Sequence, residues 1–197
     1  MGKKSLLIII FLSLLFIGCA GGTTSGNPVV EVNLDSYSPT PTAKPSLITQ
    51  QGISPFAVNS IVMCFKRLRF KMENESTNGD PTQDEDNIDL ELGEVALSPS
   101  GTSLTNVSVP KGIYSRVEFD LEKDCSVGTS GNSLQVTNGS GLLTTEERIT
   151  IKFEGIFTVD ESSEILNLGI QNIINALDTA TSGVELKSKA EGASGSF

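Results

Sequence analysis

The feature that most constrains the fold is a two-residue alternation of apolar and charged side chains. It runs through three long segments, 58–71, 114–127 and 148–159. Such a pattern is typical of strands with one face in a core and one in water. Shorter segments of the same kind lie between turn residues at 88–92, 95–97, 104–109, 134–136 and 165–168. The sequence therefore predicts an all-β fold, an antiparallel β-sandwich of seven or eight strands.

The first long segment is apolar on one face and basic on the other. Its apolar face contains Val62, Cys64, Leu68 and Phe70. Lys66 is out of phase with this face, which predicts either a β-bulge near Phe65 or a side chain that reaches water from a sheet edge.

The basic residues of this segment form a strip that needs a negative partner. The strip consists of Lys66, Arg67, Arg69 and Lys71, and the acidic face of 114–127 consists of Glu118, Asp120, Glu122 and Asp124. Opposite charges on neighbouring strands stabilise a sheet, so we expect the two faces to pair. The alternative is that the strip binds an anionic polymer of the cell envelope.

The C-terminal part of the chain departs from the alternation. Apolar residues in 169–179 recur at helical spacing, which predicts one short helix after the last strand. The segment 182–197 is rich in Gly, Ser, Ala, Lys and Glu, a composition typical of a disordered tail. The predicted sandwich domain is therefore 56–181.

The N-terminus has the pattern of a signal peptide. Lys3 and Lys4 precede an apolar run over 6–17, and Gly18 and Cys19 follow it. A run of this length is shorter than the roughly 20 residues of a membrane-spanning helix. We therefore expect 1–18 to be a cleaved signal peptide.

The residues around Cys19 resemble the lipobox of bacterial lipoproteins. The resemblance implies that the Cys19 thiol receives diacylglycerol and that added fatty acid, such as palmitate, anchors the mature chain to a membrane. It implies a place in the cell envelope, at the outer membrane or the cell surface. The alternative is an ordinary secretory signal in which Cys19 has no role. The segment 19–55 holds five prolines among Ser, Thr and Gly, which predicts a tether, with 29–32 as a possible edge strand.

The most specific pattern is Val109-Pro110-Lys111-Gly112-Ile113-Tyr114, which is followed by an alternating strand. With the earlier Ile88-Asp89-Leu90-Glu91-Leu92 it is similar to a bacterial lipoprotein domain family of unknown function with a prealbumin-like (transthyretin-like) β-sandwich. The resemblance implies a fold and an envelope location but no activity. Within the motif, we expect Gly112 to supply a positive φ and Tyr114 to pack its ring while its hydroxyl binds nearby backbone.

Composition excludes several classes of function. The chain has no His, which rules out Ser/His/Asp catalysis and zinc sites that contain His. Its net charge of -10 disfavours nucleic acid as a partner. No phosphate-binding or dinucleotide glycine pattern is present, so we expect neither a cofactor nor catalysis. The predicted function is a non-catalytic binding or structural module; a hydrolase using carboxylates alone is the remote enzymatic alternative.

An acidic segment keeps a third class open. Asp84, Asp86 and Asp89 could supply oxygen ligands for calcium in an adhesion or carbohydrate-binding domain, although the order of an EF-hand is missing. A solvated loop is the simpler interpretation, because clustered like charges repel one another.

Two cysteines remain if Cys19 is acylated. Cys64 and Cys125 each lie in phase with apolar neighbours, so we expect both to face the core. In an oxidising compartment they can form a disulfide. The alternative is two buried thiols, since the sequence does not give the register of their strands.

Overall fold

The alternating segments form strands in the computed structural model, which describes residues 26–39, 58–73, 87–125, 130–160 and 164–197, without the side chains of 87–91. The elements in chain order are β1 (Val29–Leu34), β2 (Ser60–Met72), β3 (Asn87–Ala96), β4 (Thr102–Ser108), β5 (Gly112–Leu121), β6 (Leu134–Asn138), β7 (Gly141–Thr145), β8 (Ile149–Val159), β9 (Glu164–Leu168), α1 (Gln171–Asp178), α2 (Gly183–Glu191) and β10 (Ser194–Ser196). They build two sheets with mostly antiparallel strands, so the predicted all-β sandwich is confirmed. The strands of the described residues outnumber the seven or eight predicted.

The larger sheet is organised around β2. One edge of β2 pairs with β3, and the other pairs with β6 over residues 60–63 and with β5 over residues 65–72. Beyond these partners, β7 pairs with β6 and β8 with β5, and β10 adds to β8 in parallel. The long alternating segments of β2, β5 and β8 are thus neighbours, which places their charged residues on one outer face.

The smaller sheet has the order β4-β1-β9. β1 is antiparallel to β4 and parallel to β9, and it buries Val30, Val32 and Leu34. The prediction that 19–55 is a tether is therefore wrong for 29–34, and the possible edge strand is a central one. The alternating Val and Leu side chains of 29–34 favour a central position for this strand, because a strand between two partners buries its apolar side chains fully. The rest of the segment that is described, 26–28 and 35–39, flanks this strand.

A single hydrophobic cluster fills the space between the sheets and under the helices. Aromatic rings of three neighbouring strands stack edge to face within it. The ring centroids of Phe65 and Phe119 are 5.2 Å apart, and those of Phe119 and Phe153 are 5.9 Å apart. These contacts fix the mutual positions of β2, β5 and β8. None of the helices in the described ranges has the length and apolar character needed to cross a membrane.

The C-terminal segment is folded, which corrects the predicted disordered tail at 182–197 and the expectation of a single helix. α2 buries Leu186 and Ala190 in the core, and the backbone of β10 pairs with β8. The small residues that suggested disorder serve close packing, because a Cβ on Gly195 would lie 2.3 Å from Cδ1 of Phe153. Phe197 completes this edge, with its ring centroid 6.5 Å from that of Phe157.

The out-of-phase Lys66 marks a β-bulge, one of the two predicted outcomes. The register of β2 shifts between Phe65 and Arg67 against both neighbouring strands. Before the bulge Met63 and Phe65 face the core, and after it Leu68 does. The bulge therefore reverses the phase of the strand and turns Arg67 to the outer face.

Candidate functional site

The outer face of the larger sheet carries a network of paired charges. In the register of β2 and β5, Arg67 lies opposite Asp120 and Arg69 opposite Glu118. Arg69 Nη2 lies 2.8 Å from Asp120 Oδ1 and 3.1 Å from Glu118 Oε2. The predicted pairing of the basic strip with the acidic strand is confirmed for these residues.

Asp120 is the centre of this network. Its side chain has no exposed surface, yet it accepts hydrogen bonds from Arg69, Arg148 and the hydroxyl of Thr150. Arg67 Nη1 lies 3.9 Å from Oδ2 of Asp120. A buried carboxylate needs such partners, because desolvation strongly disfavours an unpaired charge. Asp120 therefore holds β2, β5 and the start of β8 together.

Every arginine of the chain belongs to this network, since Arg67, Arg69, Arg116 and Arg148 are its only four. Arg116 joins through Glu118, with Nε to Oε1 at 2.9 Å. Arginine suits such a site, because its planar guanidinium can bind two carboxylates at once. We call these four arginines with Asp120 and Glu118 the arginine network.

An open cleft of about 370 Å³ lies beside the arginine network. It is lined by Glu118, Thr150, Lys152 and Glu191. Glu191, at the end of α2, accepts the backbone N–H of Thr150 at 3.1 Å. An amine, a hydroxyl and carboxylates with no aromatic platform suit a polar or ionic ligand rather than an apolar one.

Sequence patterns revealed only part of this site. Arg148 and Thr150 lie in the predicted strand segment 148–159, but nothing in their spacing indicates contact with Asp120. Glu191 falls in the predicted disordered tail. Its only signal is the short run from Gly183 to Glu191, in which apolar residues recur weakly.

Cys64 and Cys125 form a disulfide, with Cα atoms 5.7 Å apart. Cys64 lies where β2 changes partners: its N–H donates to Ser133 O, and its own carbonyl accepts from the N–H of Glu122. Of the two alternatives left by the sequence, the bridge is the one observed. It fastens the connection between β5 and β6 to the middle of β2.

The expected orientation of these cysteines is wrong. Cys64 alternates with Met63 and Phe65, which lie in the core, so its side chain is on the outer face of the sheet, where it is nevertheless buried. The bulge at Lys66 is the reason, since it takes Cys64 out of phase with Leu68. Cys125 lies beyond the end of β5 and is only half-buried.

Tyr114 has the structural role expected from its motif. Its ring is buried and lies edge to face with Phe70 at 5.5 Å, and its hydroxyl donates to the carbonyl of Pro110 at 2.7 Å. Gly112 does not have the expected positive φ. It is the first residue of β5, where a Cβ would lie 3.1 Å from Cε of Met72, so a side chain here would require the end of Met72 to move.

Most of the remaining predicted site residues lie outside the part of the chain that the structure describes. Cys19, Asp84 and Asp86 lie outside the described residues, as do the predicted signal peptide 1–18 and residues 19–25 and 40–55 of the predicted tether. Asp89 lies in β3 opposite Arg67. Within the described ranges, no three His, Cys, Asp or Glu residues are grouped to hold a metal. The calcium site stays a prediction.

Comparison of the chain with protein-family models, with curated proteins and with solved structures gives no match. The resemblance to a lipoprotein domain family therefore stays a prediction that rests on the motif around Tyr114. What the protein does is argued below from its residues and their geometry.

Proposed function

We propose that this protein is a lipid-anchored component of a bacterial cell envelope, at the outer membrane or the cell surface. Its sandwich is a non-catalytic module that binds a polar partner or supports envelope structure. The anchor is a diacylglyceryl group on Cys19, with palmitate or a similar fatty acid added. The proposal joins an export signal in the sequence to two features of the folded domain.

The disulfide between Cys64 and Cys125 is the observation that carries the proposal. Stable disulfides form in exported proteins, because the cytosol keeps thiols reduced. A chain that begins with Lys3, Lys4 and a short apolar run, and then folds around a disulfide, is consistent with export. Both cysteines other than Cys19 are used in the bridge, which leaves Cys19 as the free acceptor.

The outer face of the larger sheet supports a binding role. The arginine network supplies fixed charges, and the cleft beside it exposes Lys152, Thr150 and Glu191 on the strand β8 and the helix α2. In the described part of the chain these groups lie on rigid elements rather than on loops, which favours recognition of a defined polar group. Two carboxylates and one amine fit a polar partner that carries both cationic and anionic groups better than a purely anionic one.

Metabolic labelling with palmitate tests the anchor. The wild-type chain is expected to incorporate label and to partition into detergent, and Cys19→Ser to do neither and to accumulate as an uncleaved precursor. Cys64→Ser with Cys125→Ser is the matched control, because it removes two cysteines and keeps the acceptor. Equal labelling of Cys19→Ser and wild type would contradict the proposal.

Crosslinked envelopes test the binding role. Lys152→Glu changes the charge of the cleft without touching the paired arginines, and Lys189→Glu, on the same helix as Glu191, makes the same charge change outside the residues that line the cleft. Partners that bind the cleft are expected to be lost from affinity capture with the first variant and kept with the second. An identical set of captured molecules from both variants and wild type would argue for a purely structural role.

A further inference from the structure

The position of β1 limits how far the domain can stand from its anchor. β1 begins at Val29, and the first described residue, Gly26, is seven residues after Cys19. A stretch of this length spans at most about 25 Å even when fully extended. The predicted long tether would have allowed several times that distance. An acylated Cys19 therefore keeps one end of the sandwich close to the bilayer.

Hydrogen bonds and register identify that end. The carbonyl of Pro28 accepts the N–H of Val109, just before β5 begins, and β9 starts beside β1 because the two strands are parallel. β8 ends there as well, since Gly112 pairs with Val159. We call this the proximal end; it comprises Pro28 and Val29, residues 108–113, residues 159–160 and the start of β9.

Exposed aliphatic side chains are concentrated near the proximal end. Among the described residues, six large hydrophobic side chains are exposed, and four of them are at or near this end: Val29, Ile113, Ile156 and Ile165. The other two, Leu142 and Val184, are on β7 and at the start of α2.

The four side chains form one pair on each sheet. Ile165 lies opposite Glu31, two residues further along than Val29, and Thr158 lies opposite Ile113, two residues from Ile156. Two residues of a strand span about 7 Å. Each sheet thus exposes one aliphatic side chain at the edge of the proximal end and a second one about 7 Å further along the strands. This spacing matches the roughly 5–10 Å depth of the interfacial layer of a bilayer.

We propose that the proximal end rests on the bilayer that holds the anchor, with Val29, Ile113, Ile156 and Ile165 in its interfacial layer. The proposal rests on the proposed function, because it needs an acylated Cys19. The lipid surface is zwitterionic rather than anionic. The acidic Asp160 and Glu164 outnumber Lys111 at this end, and the chain has a net charge of -10, so anionic headgroups would repel it.

Tryptophan reporters test the contact in the intact lipidated protein. The chain contains no Trp, so each variant has a single reporter. Ile156→Trp reports on the proximal end and Leu142→Trp is its matched control, because the native side chains are 63% and 65% exposed. Each variant is reconstituted in phosphatidylcholine vesicles with or without bromine on the upper acyl carbons. Bromine quenches the emission of a ring that lies in the lipid and has little effect on a ring in water.

The expected result is quenching of Ile156→Trp and Ile113→Trp but not of Leu142→Trp, and weaker quenching when anionic lipid is added. Equal quenching of all reporters, or of none, in protein whose mass shows an acylated Cys19 overturns the contact alone. A mass without lipid at Cys19 overturns the proposed function and this contact with it. A blue shift that depends on protein concentration and not on bromine overturns the contact in favour of a second copy of the chain.

Discussion

The carboxylate of Asp120 lies 2.8 Å from Nη2 of Arg69 although no part of the Asp120 side chain is exposed. Thr150 in β8 and Arg148, the residue before β8, bind the same carboxylate. Asp120 thus has partners on both neighbouring strands, so the stability of the outer face of the sheet depends on this one buried charge.

Asp120→Asn is therefore expected to destabilise the domain by about 3–5 kcal/mol, because the paired arginines lose their counter-charge inside the network. Urea unfolding followed by circular dichroism measures the change. Glu146→Gln is the matched control, since it breaks the exposed pair of Glu146 with Lys123 and should cost less than about 1 kcal/mol. Equal losses for the two variants would contradict the central role of Asp120.

The disulfide should contribute strongly to stability. Cys64 and Cys125 are 61 residues apart, and on the chain-entropy model closing a loop of this size stabilises a fold by about 4 kcal/mol. Cys64→Ala with Cys125→Ala is expected to lose that amount in urea unfolding. The bridge itself is checked by the mass of the alkylated, unreduced protein, in which two alkyl additions at these residues would contradict it.

Cleavage between β1 and β2 should not release β1. β1 is the central strand of its sheet and buries Val30, Val32 and Leu34, so it should stay bound after the chain is cut. A specific protease site inserted between residues 45 and 55 allows the test. The two fragments are expected to co-elute in native size exclusion and to separate in denaturant. Separation under native conditions would show that the smaller sheet does not hold β1.

Asp178 should lower stability near neutral pH. It is buried at the C-terminal end of α1, its Oδ1 has no hydrogen-bond partner, and burial raises its pKa. A carboxyl with a raised pKa favours folding while it is protonated, and this contribution is lost as the pH rises through the folded-state pKa. Asp178→Asn is thus expected to stabilise the domain by about 1 kcal/mol at pH 7, with the gain disappearing below the unfolded-state pKa.

Glu185→Gln is the contrasting variant. A hydrogen bond from the backbone N–H of Thr181 lowers the pKa of Glu185, so its carboxylate favours folding above the unfolded-state pKa and this is lost in acid. The substitution should therefore destabilise the domain at pH 7 and be neutral at low pH. Thermal unfolding of both variants from pH 3 to pH 7 measures the two signs. The same pH trend in both would contradict the role assigned to Asp178.

The sequence alone determined most strands of the larger sheet, because alternation is a local property; β7 and β10 lie outside the predicted segments. The faces of β5 and β8 are visible from residues such as Phe119, Asp120 and Ile151. The out-of-phase Lys66 left a bulge as one of two outcomes, and the register of the strands shows that one. The pairing of the basic strip of β2 with the acidic face of β5 was also predictable, since opposite charges on two amphipathic strands of one sheet favour each other. The hydroxyl of Tyr114 binds nearby backbone, the carbonyl of Pro110, as its motif predicts.

Only the tertiary structure decided which segments belong to the core. β1 and α2 lie in regions of low-complexity composition. Their few apolar residues hold them in the core only because neighbouring elements bury these side chains. The face of Cys64 depends on a register shift that is set by pairing with two other strands. Arg148 and Thr150 reach Asp120, and Glu191 reaches Thr150, through contacts between segments distant in sequence. Such contacts depend on how the sheets and helices pack, and a local pattern in one sequence does not indicate this packing.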